Sequence, residues 1–311
     1  MNTLKRKWII PAVIMALLLL GTLAWQLISR HMAGQAEVKA QQTLQQWGLQ
    51  DKAQWEKLSV SPLGALTFNN LRIELSPDET LKVGQARISD VIDQTDHQRI
   101  HVQLKQAKQE FSPMALKEVP EALLNPIDIN LQLDLNFADD QAKILYDSQQ
   151  KDTADIELQL HLSQIGALRG VLGVIFPQSA AASADLDPNF IGLNRLAAAY
   201  SISLNTFDGK IKNRGLIKYL TDAVKEDMNK ETGGMGEQAF VRVIQETQSA
   251  CHSGVDNLKQ PCQNLADFAL GKKNSLHLTA KPAQPVSLEQ LNGVMNGGTE
   301  PVFKLLNISI Q

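Results

Sequence analysis

The sequence is poor in the residues from which most catalytic and metal sites are built. Its 311 residues include two cysteines, six histidines and only 5% aromatic side chains. The histidines are scattered along the chain. The short motifs typical of serine hydrolases, zinc peptidases and nucleotide-phosphate binding are missing from the sequence. We therefore expect no enzyme, no resident metal ion and no organic cofactor.

Basic residues are also few once the beginning of the chain is set aside. Lys5, Arg6 and Lys7 precede a long apolar run, and without these three the chain has 27 basic residues against 33 acidic ones, a net charge of about −6. No basic run follows them. This balance argues against nucleic acid as a partner and against electrostatic binding to an anionic lipid surface.

One long apolar run stands out, from Trp8 to Ile28, in which Thr22 and Gln26 are the only polar residues. At about 1.5 Å per helical residue, this run spans roughly the 30 Å of a bilayer core. Three basic residues stand before it, and only Arg30 follows closely. The positive-inside rule then places the N-terminus in the cytoplasm and the bulk of the chain outside.

A cleaved signal peptide is the alternative reading of this run. Thr22–Ala24 supplies small residues at a plausible spacing for cleavage. The apolar run nevertheless continues through Trp25, Leu27 and Ile28, and no lipoprotein-type cysteine is near. We expect an uncleaved single-pass anchor, which makes the membrane a partner of this protein.

The two cysteines, Cys251 and Cys262, are separated by ten intervening residues in "ACHSGVDNLKQPC". This spacing is too wide for a CxxC redox motif, and no further cysteine completes a zinc site. In an oxidising compartment the pair most simply forms a disulfide that closes a small loop. A metal site that includes His252, or a reactive thiol, remains the alternative.

Alternating apolar and polar residues fill the middle of the chain. The clearest run is 127–137, and further runs cover 58–75, 81–91, 99–111, 142–148 and 155–165. The double asparagine Asn69–Asn70 interrupts the alternation as a bulge would, and Asp139–Asp140 marks a turn. One-sided alternation of this kind is typical of an antiparallel sheet with one solvated face.

The C-terminal half mixes helices and strands. The pattern predicts a strand over 199–207 that ends in a turn at Asp208–Lys210, and strands over 275–286 and 302–310. Helices are predicted over 215–228, 237–251, 263–270 and 287–295, the first with an apolar stripe of Leu216, Leu220, Val224 and Met228. The prediction is an α+β fold: an N-terminal transmembrane helix, then a long, mostly antiparallel curved sheet with helices packed on its apolar face.

The same patterns divide the chain into five parts. Residues 1–30 form the cytoplasmic flank and the anchor, and 31–56 form a helical link. Residues 57–176 form a β-rich part and 177–195 a linker. Residues 196–311 form an α+β part whose helical pair is stapled by the disulfide.

Three segments carry a resemblance to known families. "WEKLSVSPLGALTFNNLRIE", directly after the anchor, resembles the start of AsmA-like periplasmic proteins and of the YdgA-type family of bacterial envelope proteins. "SLNTFDGKIKNRGLIKYLTDAVKE" and "SLHLTAKPAQPVSLEQL" resemble the closing part of such chains. The resemblance implies a Gram-negative envelope protein in the inner membrane, with its bulk in the periplasm. It implies a role in handling lipid or in outer-membrane composition, although the chain is much shorter than the bridge-forming AsmA-like proteins.

The segment "IGALRGVLGVIF" is unusually rich in glycine for a helix. A helix from Gln164 would place four apolar residues on one broad face: Leu168, Val171, Leu172 and Ile175. Each interior glycine costs about 1 kcal/mol relative to alanine, so a compensating reason is expected. One reason is close packing of this helix against the sheet. The other is a mobile apolar flap that contacts lipid or a partner.

Two functions remain open from the sequence. In the first, the sheet holds a lipid or amphiphile, for example a phospholipid, in an apolar groove. In the second, helices fill the groove and the protein is a scaffold or assembly partner of another envelope protein. The two differ in whether the apolar face of the sheet is fully covered.

Overall fold

A computed structural model describes residues 52–61, 64–76, 78–111, 124–168, 200–253, 256–295 and 299–311. Within these ranges no helix combines the length and the apolar character needed to cross a membrane. The predicted anchor Trp8–Ile28 and the predicted linker 177–195 lie outside the described residues.

The described strands form one sheet, in which every pairing is antiparallel. They are β1 (Ala53–Gln54), β2 (Lys57–Val60), β3 (Leu66–Ser76), β4 (Glu79–Gln94), β5 (His97–Phe111), β6 (Ile127–Asn136), β7 (Gln141–Gln150), β8 (Ala154–Ser163), β9 (Ser203–Asn213), β10 (Ser275–Ala280), β11 (Val286–Ser287) and β12 (Ile308–Ile310).

Neighbouring strands in this sheet are mostly neighbours in sequence. The order is β1-β3-β4-β5-β6-β7-β8-β9-β10-β12, with β2 also beside β3 and β11 also beside β9. The sheet is long, curved and unclosed, so that β1 and β2 form one edge and β12 the other. β9 adds directly to β8, and the sheet therefore continues across the predicted linker.

The register places most apolar residues of the long strands on one side, here called the apolar face, and Leu145 of β7 is an exception. On β5 and β6, Ile100 lies opposite Leu133, and Val102 lies opposite Leu131. The intervening polar residues form the opposite side, the polar face. This register confirms the alternation predicted from the sequence. A shift of one residue between two strands would instead turn the apolar side chains of one strand to the solvated face.

The interruption of the alternation at Asn69–Asn70 is confirmed as well. Asn70 has a left-handed backbone (φ 50°), and both Phe68 and Leu71 are buried on the apolar face although they stand three residues apart. Gln106 (φ 56°) produces the same slip on β5. Its backbone N–H donates to Asp128 Oδ1 at 2.7 Å, which compensates for the lost ladder bond.

Five described helices follow in the C-terminal half. They are α1 (Leu216–Thr232), α2 (Gly236–Ser253), α3 (Asp256–Ala269), α4 (Leu288–Met295) and α5 (Thr299–Leu306). Ile217 of α1 and Phe268 of α3 are buried against Leu276 and Ile310 of the sheet. Leu306 of α5 is buried with strand residues of β10 and β11. These helices cover the apolar face near β9–β12.

Two predictions for this half are wrong. The predicted turn at Asp208–Lys210 lies in the middle of β9, where Gly209 pairs with Leu158 on one side and Leu278 on the other. Gly209 serves close packing there, since a Cβ would lie 2.8 Å from the ring of Phe207. The predicted strand 302–310 begins as helix α5, and only Ile308–Ile310 is extended.

Candidate functional site

Four half-buried residues on the apolar face lie outside the cores of the described structure. Ile144 of β7 and Ile156, Leu158 and Leu160 of β8 share this face, with Ile144 opposite Leu160. None of them packs against a buried hydrophobic cluster of the described residues. We call these four residues the apolar strip.

Hydrophobic cores flank the apolar strip on both sides. On the N-terminal side, Leu131 and Tyr146 pack against the large cluster of β3–β6, which includes the fully buried Phe68. On the C-terminal side, Phe207 and Ile211 of β9 pack against the clusters under the helices. Among the described residues, the strip is therefore a gap between two cores on the apolar face.

A smaller cluster closes one end of this gap. Leu135, Phe137, Ala142 and Ile165 are buried together, and Leu162 and Leu168 pack against them. Leu168 thus lies against the sheet at the end of the strip. At the start of the predicted helix, Ile165–Ala167 form a 3₁₀ turn, and Gln164 before it is left-handed (φ 57°). The rest of that helix lies outside the described residues.

The other three residues of the predicted flap, Val171, Leu172 and Ile175, lie outside the described residues. The choice between a packed helix and a mobile flap therefore stays a prediction. What the structure adds is the attachment point: Gly166 donates its backbone N–H to Asp140 Oδ1 at 3.0 Å. The segment consequently leaves the sheet beside the turn between β6 and β7.

The predicted cysteine pair lies in the helical part of the chain. Cys262 of α3 is disulfide-bonded, and α2 packs against α3. The side chain of Cys251 lies outside the described side chains, and its pairing with Cys262 stays a prediction. Among the described residues no three histidine, cysteine or acidic side chains are grouped so as to hold a metal ion.

The polar face carries a depression of about 230 Å³ on β4–β7. Its lining residues are Asp90, Arg99, Ile100, His101, Gln132, Asp134, Lys143 and Leu145. We call it the polar depression. Two cross-strand rows build it: Arg99, Asp134 and Lys143 stand opposite one another in the first, and His101, Gln132 and Leu145 in the second.

Asp134 organises the first row. Its Oδ1 lies 2.7 Å from His97 Nε2, and its Oδ2 accepts from Arg99 Nε at 2.9 Å and from Arg99 Nη2 at 2.6 Å. Partial burial alone would raise the pKa of the Asp134 carboxyl, but the hydrogen bonds from His97 and Arg99 outweigh it and hold the pKa below its usual value. The carboxylate therefore fixes the guanidinium in place.

His101 organises the second row. Its Nε2 lies 2.5 Å from Asn130 Oδ1, and its Nδ1 faces Asp90 Oδ2 at 3.3 Å and Ser89 Oγ at 3.4 Å. Asp90 reaches His101 because it is left-handed (φ 53°), at an irregularity in the β4–β5 register. A catalytic triad uses separate imidazole nitrogens for the hydroxyl and the carboxylate. Here both face Nδ1, and Ser89 is not arranged as a nucleophile.

Sequence reasoning missed the polar depression, because the histidines were judged scattered along the chain. The available signal was strand alternation, which puts His97, Arg99 and His101 on one face of β5. The same alternation places Asp134 on the polar face of β6. Only the register between the two strands shows that these groups meet.

These features define an α+β protein built on one open antiparallel sheet, with an apolar strip on one face and a polar depression on the other. The chain belongs to a family described as "Uncharacterized protein", whose model matches residues 146–311, more than half of its length. No curated protein matches the chain. The β8 residues of the apolar strip lie within the matched region, and the polar depression precedes it.

Proposed function

We propose that this protein is a periplasmic, inner-membrane-anchored envelope protein, related to the AsmA-like and YdgA-type proteins, that binds lipid without catalysing a reaction. The apolar strip would hold an acyl chain. The single observation that carries the proposal is that Ile144, Ile156, Leu158 and Leu160 are half-buried between the two cores and pack in neither of them, among the residues that the structure describes.

The energetics favour an apolar occupant. Each methylene group that leaves water contributes about 0.8 kcal/mol, so five or six methylenes on the strip amount to roughly 4–5 kcal/mol before ordering costs. Ile156 and Leu160 are four residues apart, which corresponds to about 14 Å along an extended strand. That length matches an extended hydrocarbon segment better than a compact polar ligand.

Native mass spectrometry of the detergent-extracted full-length chain tests this proposal. The wild type should retain phospholipid, and Leu158→Asp should lose it, because a carboxylate on the strip is incompatible with an acyl chain. Gln159→Asp is the matched control, since it adds the same charge on the adjacent residue of the opposite face. The proposal would be refuted if the wild type carried no phospholipid, or if Leu158→Asp and Gln159→Asp retained equal amounts of it. Thermal unfolding of each variant verifies that it is folded.

A scaffold function is the second candidate, and one observation favours it. The predicted apolar stripe on α1 is partly solvent-exposed: Leu220 is 48% and Val224 is 42% exposed, and Val241 and Val243 of the adjoining α2 are similar. Exposed aliphatic residues on packed helices are typical of partner surfaces. If Leu220→Asp removes the protein from a native complex while phospholipid is retained, the scaffold function is the better description.

A further inference from the structure

The polar depression contains hydrogen-bonding groups that the protein itself leaves unused. Lys143 and Gln132 make no side-chain hydrogen bond or ion pair within the described structure. Arg99 has five N–H donors and uses two of them on Asp134, which leaves three. All three residues line the same depression. Lys143, Gln132 and Arg99 therefore supply N–H donors to the depression that have no acceptor among the described residues.

The charged side chains of the depression disfavour a ligand that carries only positive or only negative charge. Arg99 and Lys143 supply two positive charges, and Asp90 and Asp134 supply two negative ones, so the sum is zero with the imidazole counted as neutral. A simple anion would face the two carboxylates, and a simple cation would face the two basic groups. Only a ligand that carries both signs compensates all of them.

The free charges lie at opposite corners. Asp134 is already bound by Arg99 and His97, whereas Asp90 is 66% exposed and, among the described side chains, has His101 at 3.3 Å as its one partner. Asp90 stands on β4 and Lys143 on β7, three strand spacings apart, which is about 14 Å between backbones. Both residues line the depression, so a ligand that contacts both would lie between them.

We propose that the polar depression binds a small zwitterion. Its acid group is bound by Lys143, Gln132 and the free N–H groups of Arg99, and its ammonium group is bound by Asp90. The volume of about 230 Å³ equals that of roughly eight water molecules and suits a small ligand. This site is independent of the apolar strip, which lies on the other face of the sheet.

Calorimetric titration of the full-length chain in detergent with O-phosphoethanolamine tests the proposal. The molecule should bind, whereas ethanolamine and inorganic phosphate, its two halves, should bind at least tenfold more weakly. Lys143→Gln and Asp90→Asn should each weaken binding about tenfold, the effect of one lost charged hydrogen bond. Lys82→Gln and Asp227→Asn are the matched controls, because both remove a charge from an exposed ion pair elsewhere.

A second arm separates a free ligand from a lipid headgroup. Vesicles of phosphatidylethanolamine in phosphatidylcholine present the same charged group on a membrane, and binding to them should show the same dependence on Lys143 and Asp90. Binding in this arm alone identifies a headgroup site, and binding in both identifies the group itself as sufficient. No binding in either arm, phosphate binding equal to that of the zwitterion, or unchanged binding by both variants would overturn the proposal.

Discussion

Asp134 shows how a single carboxylate on a sheet surface can order a whole row of side chains. It accepts hydrogen bonds from Arg99 and lies within hydrogen-bonding distance of His97, so two side chains of β5 are held by one residue of β6. Exposed ion pairs contribute little stability, but a partly buried carboxylate oxygen that accepts two hydrogen bonds from one guanidinium, as Asp134 Oδ2 does from Arg99, contributes more. We expect this residue to matter for stability as well as for the polar depression.

The lowered pKa of Asp134 predicts a specific dependence of stability on pH. An unfolded aspartate titrates near 3.9. Because the folded pKa lies below that value, the stabilisation is present above about pH 4 and is lost as the pH falls through the folded pKa. Urea unfolding should show Asp134→Asn less stable than wild type at pH 7, and the difference should shrink as the pH is lowered below about 4.

Asp139→Asn, on the exposed turn that follows β6, is the control for this series. It removes the same charge without touching His97 or Arg99, and its unfolding curve should stay close to wild type at pH 7. If Asp134→Asn is equally destabilising at every pH, the carboxylate is not the source of the effect.

Two glycines provide a contrast between close packing and open space. Gly209→Ala should destabilise the protein by about 1–3 kcal/mol, because the new Cβ meets the ring of Phe207 at 2.8 Å. Gly293→Ala should stabilise it by about 0.5–1 kcal/mol, because Gly293 lies inside α4 with no atom within 4 Å of the new Cβ. Denaturant unfolding measures both, and a neutral Gly209→Ala would contradict the packing at β9.

At the scale of elements, the periodicity of apolar residues predicted the strands whose residues alternate regularly. It gave the wrong secondary structure where contacts with other elements determine the backbone conformation. The predicted run 127–137 closely matches β6, Ile127–Asn136, since each residue there alternates. Asp208–Gly209 has turn chemistry, yet pairing with β8 and β10 extends it. Val302, Leu305 and Leu306 also fit a helix, and packing against the sheet selects that form. Cross-strand register, which builds the polar depression, has no local signal.

The helical pair α2–α3 carries the predicted disulfide, and its role should be structural. Replacement of both Cys251 and Cys262 by serine should lower the free energy of unfolding by at most about 3 kcal/mol, the loop-entropy value for so short a loop. Lipid binding should be unchanged, because the strip lies on β7 and β8. Alkylation of protein from its native compartment without reductant should label neither cysteine. Labelling of both would contradict the pairing.

Within the described residues the molecule is one open sheet with two large cores and the apolar strip between them. The N-terminal core occupies β3–β6, and the C-terminal core is built with the helices near β9–β12. The described residues leave the apolar strip on β7 and β8 outside these cores, where a ligand can bind. The sequence alone predicted one continuous apolar face, and the distribution of the helices, a tertiary property, determines where that face stays accessible.

Site-specific photocrosslinking in cells tests lipid binding at the apolar strip most directly. A benzoylphenylalanine residue is placed at Leu158 or, as the control, at Gln159 on the opposite face of β8, and phospholipids are labelled with radioactive phosphate. After irradiation, the purified protein should carry labelled phospholipid when the crosslinker stands at Leu158, and little or none at Gln159. Absence of label at Leu158, or equal label at both positions, would contradict the account.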